Sequence, residues 1–129
     1  MMNALALIVE DDKDIAEVFD QALQRAGYET KLCLSGEIAL TTLKQERPNV
    51  VVLDIHLPKG SGLDILKEIR SQSRLDKTWV IVISADSSVT DPLRRESAAD
   101  FVLDKPVGYV QLRDLSARIH PNNQPEGRV

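Results

Sequence analysis

The stretch from Val50 to Pro58, VVVLDIHLP, decides the fold of this chain. Its four consecutive apolar residues are typical of a parallel β-strand that is covered on both faces. The apolar run leads directly into one carboxylate, Asp54, and a proline stops the segment soon afterwards. The stretch therefore predicts a buried strand that presents a single acid at its carboxyl end.

Other apolar runs predict the rest of a sheet. ALALIV at residues 4–9 and WVIVI at residues 79–83 are continuous in the same way and fit central strands. YETKLCL at residues 28–34 carries charges and FVL at residues 101–103 is very short, so both fit the edges of a sheet. With the opening stretch, the sequence predicts five strands.

Amphipathic patterns between these runs predict five helices. They cover residues 14–26, residues 36–46, residues 62–71, a short stretch that starts at Asp91-Pro92, and residues 107–119. The first three are preceded by residue types that favour the N-cap position, namely Asp12, Ser35 and Ser61. Pro92 suits the first turn of the fourth helix, because proline lacks an N–H that this turn does not need.

Strict alternation of strands and helices predicts one α/β domain over residues 1–120. Right-handed crossovers give a doubly wound, flavodoxin-like sheet of five parallel strands in the order 2-1-3-4-5, with helices on both faces. Residues 121–129 show no periodicity and are predicted to form a disordered tail or the start of a linker.

Composition narrows the function classes. The net charge of -4 argues against a surface that binds nucleic acid by neutralising phosphates. Cys33 is the single cysteine and lies between two leucines, which favours a buried thiol in a reducing compartment. The apolar segment at residues 4–9 is too short for a signal peptide or a membrane span. We therefore expect a soluble cytoplasmic protein that does not bind nucleic acid or a membrane.

In a sheet of this order, ligands bind beyond the carboxyl ends of the strands, where the winding reverses. Five polar residues lie at or just after strand ends and are predicted to meet there: Glu10, Asp11, Asp54, Ser84 and Lys105. Neighbouring carboxylates repel each other, which favours a bound cation, and Mg²⁺ suits an all-oxygen site. The added ammonium and hydroxyl groups predict a site that carries phosphate on Asp54.

Three other polar residues have simpler interpretations. Asp12 is expected to cap the first helix rather than bind a metal. His56 has no second histidine near it in the sequence, so we expect a loop residue that borders the pocket. His120 is predicted to lie on the surface.

Four motifs occur in an order and at a spacing that resemble the receiver domain of bacterial two-component response regulators. They are Val9-Glu10-Asp11-Asp12, Leu53 to Pro58 with Gly62 eight places after Asp54, Ser84-Ala85, and Lys105-Pro106. Each motif is short, but four in the expected order are specific. The resemblance covers residues 4 to 119.

The resemblance implies a role for each residue of the site. Asp54 would take a phosphoryl group from the phosphohistidine of a sensor histidine kinase or a phosphotransfer protein. Asp11 and Asp54 would bind Mg²⁺ directly, together with the backbone carbonyl of His56, and Glu10 would act through metal-bound water. Lys105 would pair with the phosphoryl oxygens. The protein would then be a signalling phosphoacceptor that catalyses only its own phosphorylation and dephosphorylation.

The resemblance also implies a switch and a pocket edge. Ser84 would move to hydrogen-bond a phosphoryl oxygen once Asp54 is modified. His56, Ala85 and Asp86 would form the edge of the pocket, where His56 and Asp86 flank the path of the hydrolytic water.

The chain departs from the family pattern near the expected switch. The position three before Lys105, commonly an aromatic residue in the family, is Val102, and Phe101 stands one place earlier. Alternation along a strand predicts that these two side chains point to opposite faces of the sheet. Ala98 stands where the family usually has a glycine.

Two other classes of protein remain as alternatives. A phosphatase of the haloacid dehalogenase type also has an aspartate nucleophile after an apolar strand, but needs a second aspartate where this chain has His56. A flavodoxin-like cofactor module shares the sheet order, but the acidic turn Glu10-Asp11-Asp12 would repel a nucleotide phosphate. The sequence leaves open the kinase, the downstream effector or output domain, and the oligomeric state.

Overall fold

A computed structural model describes residues 3–57, 62–96 and 98–123. Strands and helices alternate along the chain in the following order: β1 Leu5–Val9, α1 Lys13–Arg25, β2 Glu29–Cys33, α2 Gly36–Gln45, β3 Val50–Asp54, α3 Gly62–Ser71, β4 Trp79–Ser84, α4 Ser87–Glu96, β5 Phe101–Asp104 and α5 Tyr109–Arg118. Two short 3-10 helices cover Ser73–Leu75 and Pro121–Asn123. The five predicted strands are confirmed.

The sheet has the predicted order and direction. Its strands lie in the order β2-β1-β3-β4-β5, and every neighbouring pair is parallel. All residues of β3 are buried, whereas β2 at one edge is mostly exposed or half-buried. Because all five strands run the same way, their carboxyl ends form one edge of the sheet.

The two faces of the sheet carry separate apolar cores. One core packs α2 and α3 against residues such as Leu7, Leu53 and Val82, and the other packs α1 and α5 against residues such as Ile8 and Ile83. This burial on both faces explains why the central strands are continuous apolar runs. No helix among the described residues is long and apolar enough to cross a membrane.

The predicted opposite orientation of Phe101 and Val102 is confirmed. Phe101 packs with the core of α1 and α5, and Val102 packs with the core of α2 and α3. The Phe101 ring also stacks on Trp79, with ring centroids 5.8 Å apart. The aromatic residue of β5 is therefore part of the packing between two neighbouring strands.

Helix capping agrees with the sequence at the first two helices. The Asp12 side chain accepts hydrogen bonds from the backbone N–H groups of Asp14 and Ile15, so it caps α1 as predicted. The Ser35 side chain accepts from the N–H of Ile38 at the start of α2. The predicted cap Ser61 lies outside the described residues.

The predicted start of the fourth helix is wrong. Helix α4 begins at Ser87, and Pro92 lies inside it. The reason is the preceding residue Asp86, whose side chain accepts hydrogen bonds from both the N–H and the hydroxyl of Ser88, at 2.9 Å and 2.6 Å. This cap starts the helix at Ser87, five residues before the proline, and the helix continues through Pro92.

The predicted surface position of His120 at the carboxyl-terminal end is wrong. His120 is 8% exposed rather than on the surface, because its ring packs on Tyr28 with centroids 4.8 Å apart. Its Nε2 lies 3.1 Å from the carbonyl oxygen of Gly27, and its Nδ1 accepts a hydrogen bond from the N–H of Asn122. Pro121–Asn123 forms a helical turn, and residues 124–129 lie outside the described residues, so the predicted disordered tail or start of a linker stays a prediction.

Candidate functional site

The carboxyl-end edge of the sheet brings the predicted polar residues together. Glu10 directly follows β1, Asp54 is the last residue of β3, and Ser84 is the last residue of β4. Lys105 directly follows β5, and its backbone N–H donates a 2.9 Å hydrogen bond to the carbonyl of Ser84. We call the set of Glu10, Asp11, Asp54, Ser84 and Lys105 the acidic rim.

Three carboxylates of the acidic rim form a tight cluster. Glu10, Asp11 and Asp54 each offer one oxygen, and these oxygens lie within 4.8 Å of one another. Glu10 is 1% exposed and Asp54 is 3% exposed, whereas Asp11 is open to solvent. Two buried acids and one exposed acid thus share a single small volume.

Lys105 partly balances this negative charge. Its Nζ donates to Oε1 of Glu10 at 3.1 Å and lies 3.4 Å from Oδ2 of Asp54. Burial acts to lower the pKa of Lys105, but the hydrogen bond to Glu10 and the charges of both acids raise it overall. The ammonium therefore stays charged and holds the two buried acids in place.

The positive charge of Lys105 does not fully offset the burial and mutual repulsion of Glu10 and Asp54. The pKa of Glu10 is raised from 4.5 to about 7, mainly because the carboxyl is buried and in addition because Asp54 is close by. The backbone N–H of Asp12 and the ammonium of Lys105 act in the opposite direction without offsetting the rise. The acidic rim consequently carries more negative charge than its own residues stabilise.

The segment after β3 fixes the position of Asp54. Its Oδ1 accepts a 3.1 Å hydrogen bond from the backbone N–H of His56, and Gly62 packs directly against the backbone behind it. A Cβ at Gly62 would lie 2.6 Å from both the carbonyl oxygen of Asp54 and the Cα of Ile55. Only glycine therefore fits this close approach between α3 and the strand end.

Ser84, Asp86 and His56 lie at or just after the carboxyl ends of β3 and β4. The hydroxyl oxygen of Ser84 is buried and accepts a 3.0 Å hydrogen bond from the backbone N–H of Asp86. The bonds from Ser88 lower the pKa of Asp86, with a smaller contribution from His56, whose Nε2 lies 3.9 Å from Oδ2 of Asp86. Ala85 is exposed between Ser84 and Asp86.

The oxygen chemistry of the cluster fits a divalent cation. Hard cations such as Mg²⁺ are held by carboxylate oxygens together with retained water, and the open side at Asp11 leaves room for that water. A bound cation would also lower the raised pKa of Glu10, because a second positive charge near the carboxyl group favours its charged form. The predicted role of the His56 carbonyl as a ligand stays a prediction.

Comparison with known proteins identifies the family. The response regulator receiver domain matches this chain over residues 6–117. This chain belongs to that family. The receiver domain has the predicted fold, and neither the phosphatase nor the cofactor-module alternative is supported.

Curated and solved relatives agree with this assignment. The alkaline phosphatase synthesis transcriptional regulatory protein PhoP of Bacillus subtilis is 31% identical over 118 residues, which are 92% of this chain and 48% of PhoP. The receiver domain therefore spans about half the length of that curated relative.

Two solved structures illustrate the likeness. A CheY-like receiver domain from Methylobacillus flagellatus has a TM-score of 0.80 at 27% identity, and the match covers 92% of this chain and 100% of that one. The beryllofluoride-activated receiver domain of DrrB, a Thermotoga maritima OmpR/PhoB homologue, has a TM-score of 0.76 at 32% identity and covers 92% and 97%.

The sequence did not predict the contacts of Asp104, an acid next to the acidic rim. Asp104, directly before Lys105, contacts Thr90 and Arg94 on α4, with Arg94 Nη2 at 2.9 Å from its Oδ2. No local pattern predicts these contacts, because they join positions ten or more residues apart whose facing depends on where α4 begins. Asp86 was expected at the pocket edge, but its role as the cap of α4 was not.

Proposed function

We propose that Asp54 of this receiver domain accepts a phosphoryl group from a phosphohistidine in a Mg²⁺-dependent reaction, and that the modified domain then presents a changed surface to an effector. One observation carries this proposal. Among the described residues, the ammonium of Lys105 bridges Asp54 and Glu10 inside a cluster of three carboxylates that it does not neutralise. Such a site has an acceptor carboxylate, a cation requirement and a partner for phosphoryl oxygens.

The transfer step follows from the positions of these groups. A carboxylate oxygen of Asp54 forms the new bond to phosphorus while the bond from phosphorus to the donor imidazole breaks, and the electron pair returns to the ring nitrogen. Lys105 already lies 3.4 Å from Oδ2 of Asp54, so it is placed to pair with the phosphoryl oxygens as they arrive. A divalent cation held by Asp11 and Asp54 would supply electrostatic stabilisation of the negative charge on the transferring group.

Ser84 supplies the second partner for the modified acid. Its hydroxyl oxygen accepts from the N–H of Asp86, so the hydroxyl hydrogen can be donated to a phosphoryl oxygen. Moving Ser84 toward Asp54 pulls on Asp86 and therefore on the start of α4. The resulting switch is a shift of the loop after β4 rather than a rearrangement of Val102, which is short and stiff.

The partners are proposed from chemistry and family. The proposed donor is a sensor histidine kinase or a phosphotransfer protein. We propose that the transfer takes place in the cytoplasm. PhoP is named as a transcriptional regulator and is about twice as long as the match, so a similar output module is one candidate effector. The receiver domain itself has a net charge of -4 and is not proposed to contact nucleic acid.

Labelling with a small phosphoryl donor tests the acceptor. Incubation with acetyl phosphate and MgCl₂ should add one phosphoryl group to the intact mass, and chelation with EDTA should prevent it. The Asp54→Asn protein should gain nothing, whereas the control Asp64→Asn, which alters an exposed acid on α3, should label like the parent. Labelling of Asp54→Asn at the parent rate would refute the assignment.

The pocket edge is tested by the lifetime of the product. His56 and Asp86 follow the ends of β3 and β4, and His56 Nε2 lies 3.9 Å from Oδ2 of Asp86. We propose that they border the route by which water reaches the modified Asp54. Replacing either with alanine should change the rate of phosphoryl loss, followed by mass after the donor is removed, with little change in Mg²⁺ affinity. If both variants lose phosphate at the parent rate, these residues do not border that route.

A further inference from the structure

Helix α4 is attached to the acidic rim at its amino-terminal end. The hydroxyl oxygen of Ser84 accepts a hydrogen bond from the N–H of Asp86 at 3.0 Å. The Asp86 side chain in turn accepts from Ser88, and its carbonyl accepts from the N–H groups of Val89 and Thr90 at 3.1 Å. The first turn of α4 is therefore held by hydrogen bonds to Asp86, which lies two residues after Ser84.

A second attachment lies further along the same helix. The hydroxyl of Thr90 donates to Oδ1 of Asp104 at 3.3 Å, and Nη2 of Arg94 donates to Oδ2 of Asp104 at 2.9 Å. The same Nη2 is 3.1 Å from the carbonyl of Val102 on β5. Asp104 thus accepts hydrogen bonds from two side chains on successive turns of α4.

Asp104 is joined to the proposed phosphate-binding groups through the backbone. It is the residue before Lys105, and it pairs with Ser84 in the register of β4 and β5. The N–H of Lys105 donates to the carbonyl of Ser84 at 2.9 Å. A displacement of the Lys105 backbone therefore also moves Asp104, the last residue of β5.

The attachment at Asp104 is built so that it can be released. The Arg94 side chain is 42% exposed and that of Asp104 is 59% exposed, so water can replace their ion pair. Arg94 also has a second acid within its own helix, because its Nη1 lies 3.4 Å from Oδ1 of Asp91. When Arg94 separates from Asp104, its guanidinium can still pair with Asp91. The buried hydroxyl of Thr90 then loses Asp104 as its hydrogen-bond acceptor.

We propose that Asp104 is a positioning residue that couples Lys105 to α4, and that Asp86 and Asp104 together clamp α4 in its unphosphorylated position. This inference rests on the proposed function, because the clamp opens when Ser84 and Lys105 are drawn to a phosphoryl group on Asp54. A modification shifts an equilibrium only through interactions that differ between the two states. The clamp supplies that difference, since both of its anchors are neighbours of the two residues that contact the phosphoryl group.

Amide hydrogen exchange of the whole chain, followed by NMR, tests the clamp. The test variant is Asp104→Asn, which removes one acid of Arg94. The matched control is Asp91→Asn, which removes the other acid of the same guanidinium but leaves the contact between α4 and β5. In the unmodified proteins, exchange within α4 should be about five-fold faster in Asp104→Asn than in the parent, and within about two-fold of the parent in Asp91→Asn.

The comparison is then repeated with beryllofluoride and MgCl₂, which mimic the phosphoryl group. The clamp is open in this state, so exchange in α4 of Asp104→Asn should approach that of the parent to within about two-fold. Acceleration by the same factor in both states would show that Asp104 is merely structural and would overturn the coupling. Arg94→Gln removes the other partner of the pair and should behave like Asp104→Asn, which guards against an effect of the Asp104 substitution on folding.

Failure of the clamp and failure of the proposed function give different results. If Asp104→Asn exchanges like Asp91→Asn while beryllofluoride still shifts the Asp54 signals of the parent, the clamp is overturned and the phosphoacceptor role stands. If beryllofluoride leaves the Asp54 signals of the parent unchanged, the phosphoacceptor role is overturned, and the coupling falls with it.

Discussion

Glu10 makes the stability of this protein depend on pH when no divalent cation is present. Its pKa in the folded protein is about 7, against an ordinary value of 4.5, because the carboxyl is buried and lies beside Asp54. A raised pKa means that folding favours the protonated acid. The contribution to stability is therefore complete below about pH 4.5 and is lost as the pH rises through about 7.

The size of the effect follows from linkage. At about 1.4 kcal/mol per pKa unit, a rise from 4.5 to about 7 corresponds to about 3 kcal/mol in total. Most of it, roughly 2 to 3 kcal/mol, is lost between about pH 5 and about pH 8. For a domain of 129 residues this lowers the melting temperature by about 10 °C.

Urea unfolding in EDTA at a series of pH values measures the loss. The control is Glu10→Gln, which replaces the carboxyl by a neutral group of the same shape. Other groups that titrate in this range are common to both proteins, so the difference between the two profiles isolates Glu10. The variant should lose roughly 2 to 3 kcal/mol less than the parent over this range. MgCl₂ should restore much of the parent's stability at about pH 8, because a cation offsets the crowded carboxylates. A variant that falls as steeply as the parent would refute the reasoning.

Three further substitutions test contacts that stabilise the fold or position the site. Gly62→Ala should destabilise the fold by about 2 kcal/mol in urea unfolding and slow labelling by acetyl phosphate, since the new Cβ meets the strand-end backbone at 2.6 Å. His120→Ala should lower stability by about 2 kcal/mol, because it removes the contact with Tyr28 and leaves the Gly27 carbonyl without its side-chain partner; an unchanged urea midpoint would contradict this. Asp12→Ala should lower stability by about 1 kcal/mol through loss of the α1 cap, with phosphoryl labelling retained; loss of labelling would instead favour a role for Asp12 in the site.

The sheet and its rim could be predicted from the sequence because their signals are local. Each central strand is a continuous apolar run, and each rim residue stands at or just after the end of such a run. Parallel direction and right-handed crossovers then bring those ends to one edge without any knowledge of side-chain contacts. Asp54, Glu10 and Lys105 are thus found close together, as the sequence predicts.

His120 shows why other features could not be predicted. It follows Ile119, the last apolar residue of the predicted fifth helix, and stands next to a proline, which locally indicates an exposed helix end. What buries it is the turn between α1 and β2, where Gly27 has a φ of 104° and presents its carbonyl to the imidazole. The partner lies 93 residues away in the chain, so no window of sequence contains both halves of the contact.

The mistaken start of α4 has the same cause and a consequence for function. Asp91-Pro92 carries the stronger local signal, but the backbone N–H of Asp86 is bonded to Ser84, and the Asp86 cap starts the helix five residues earlier. That earlier start adds Thr90 to the helix that carries Arg94, and both side chains contact the acid before Lys105. A helix begun at the proline would leave Thr90 outside it. The register of α4 against β5 thus depends on a hydrogen bond that the Ser84 hydroxyl makes, and that hydroxyl is the group the proposed phosphoryl transfer would redirect.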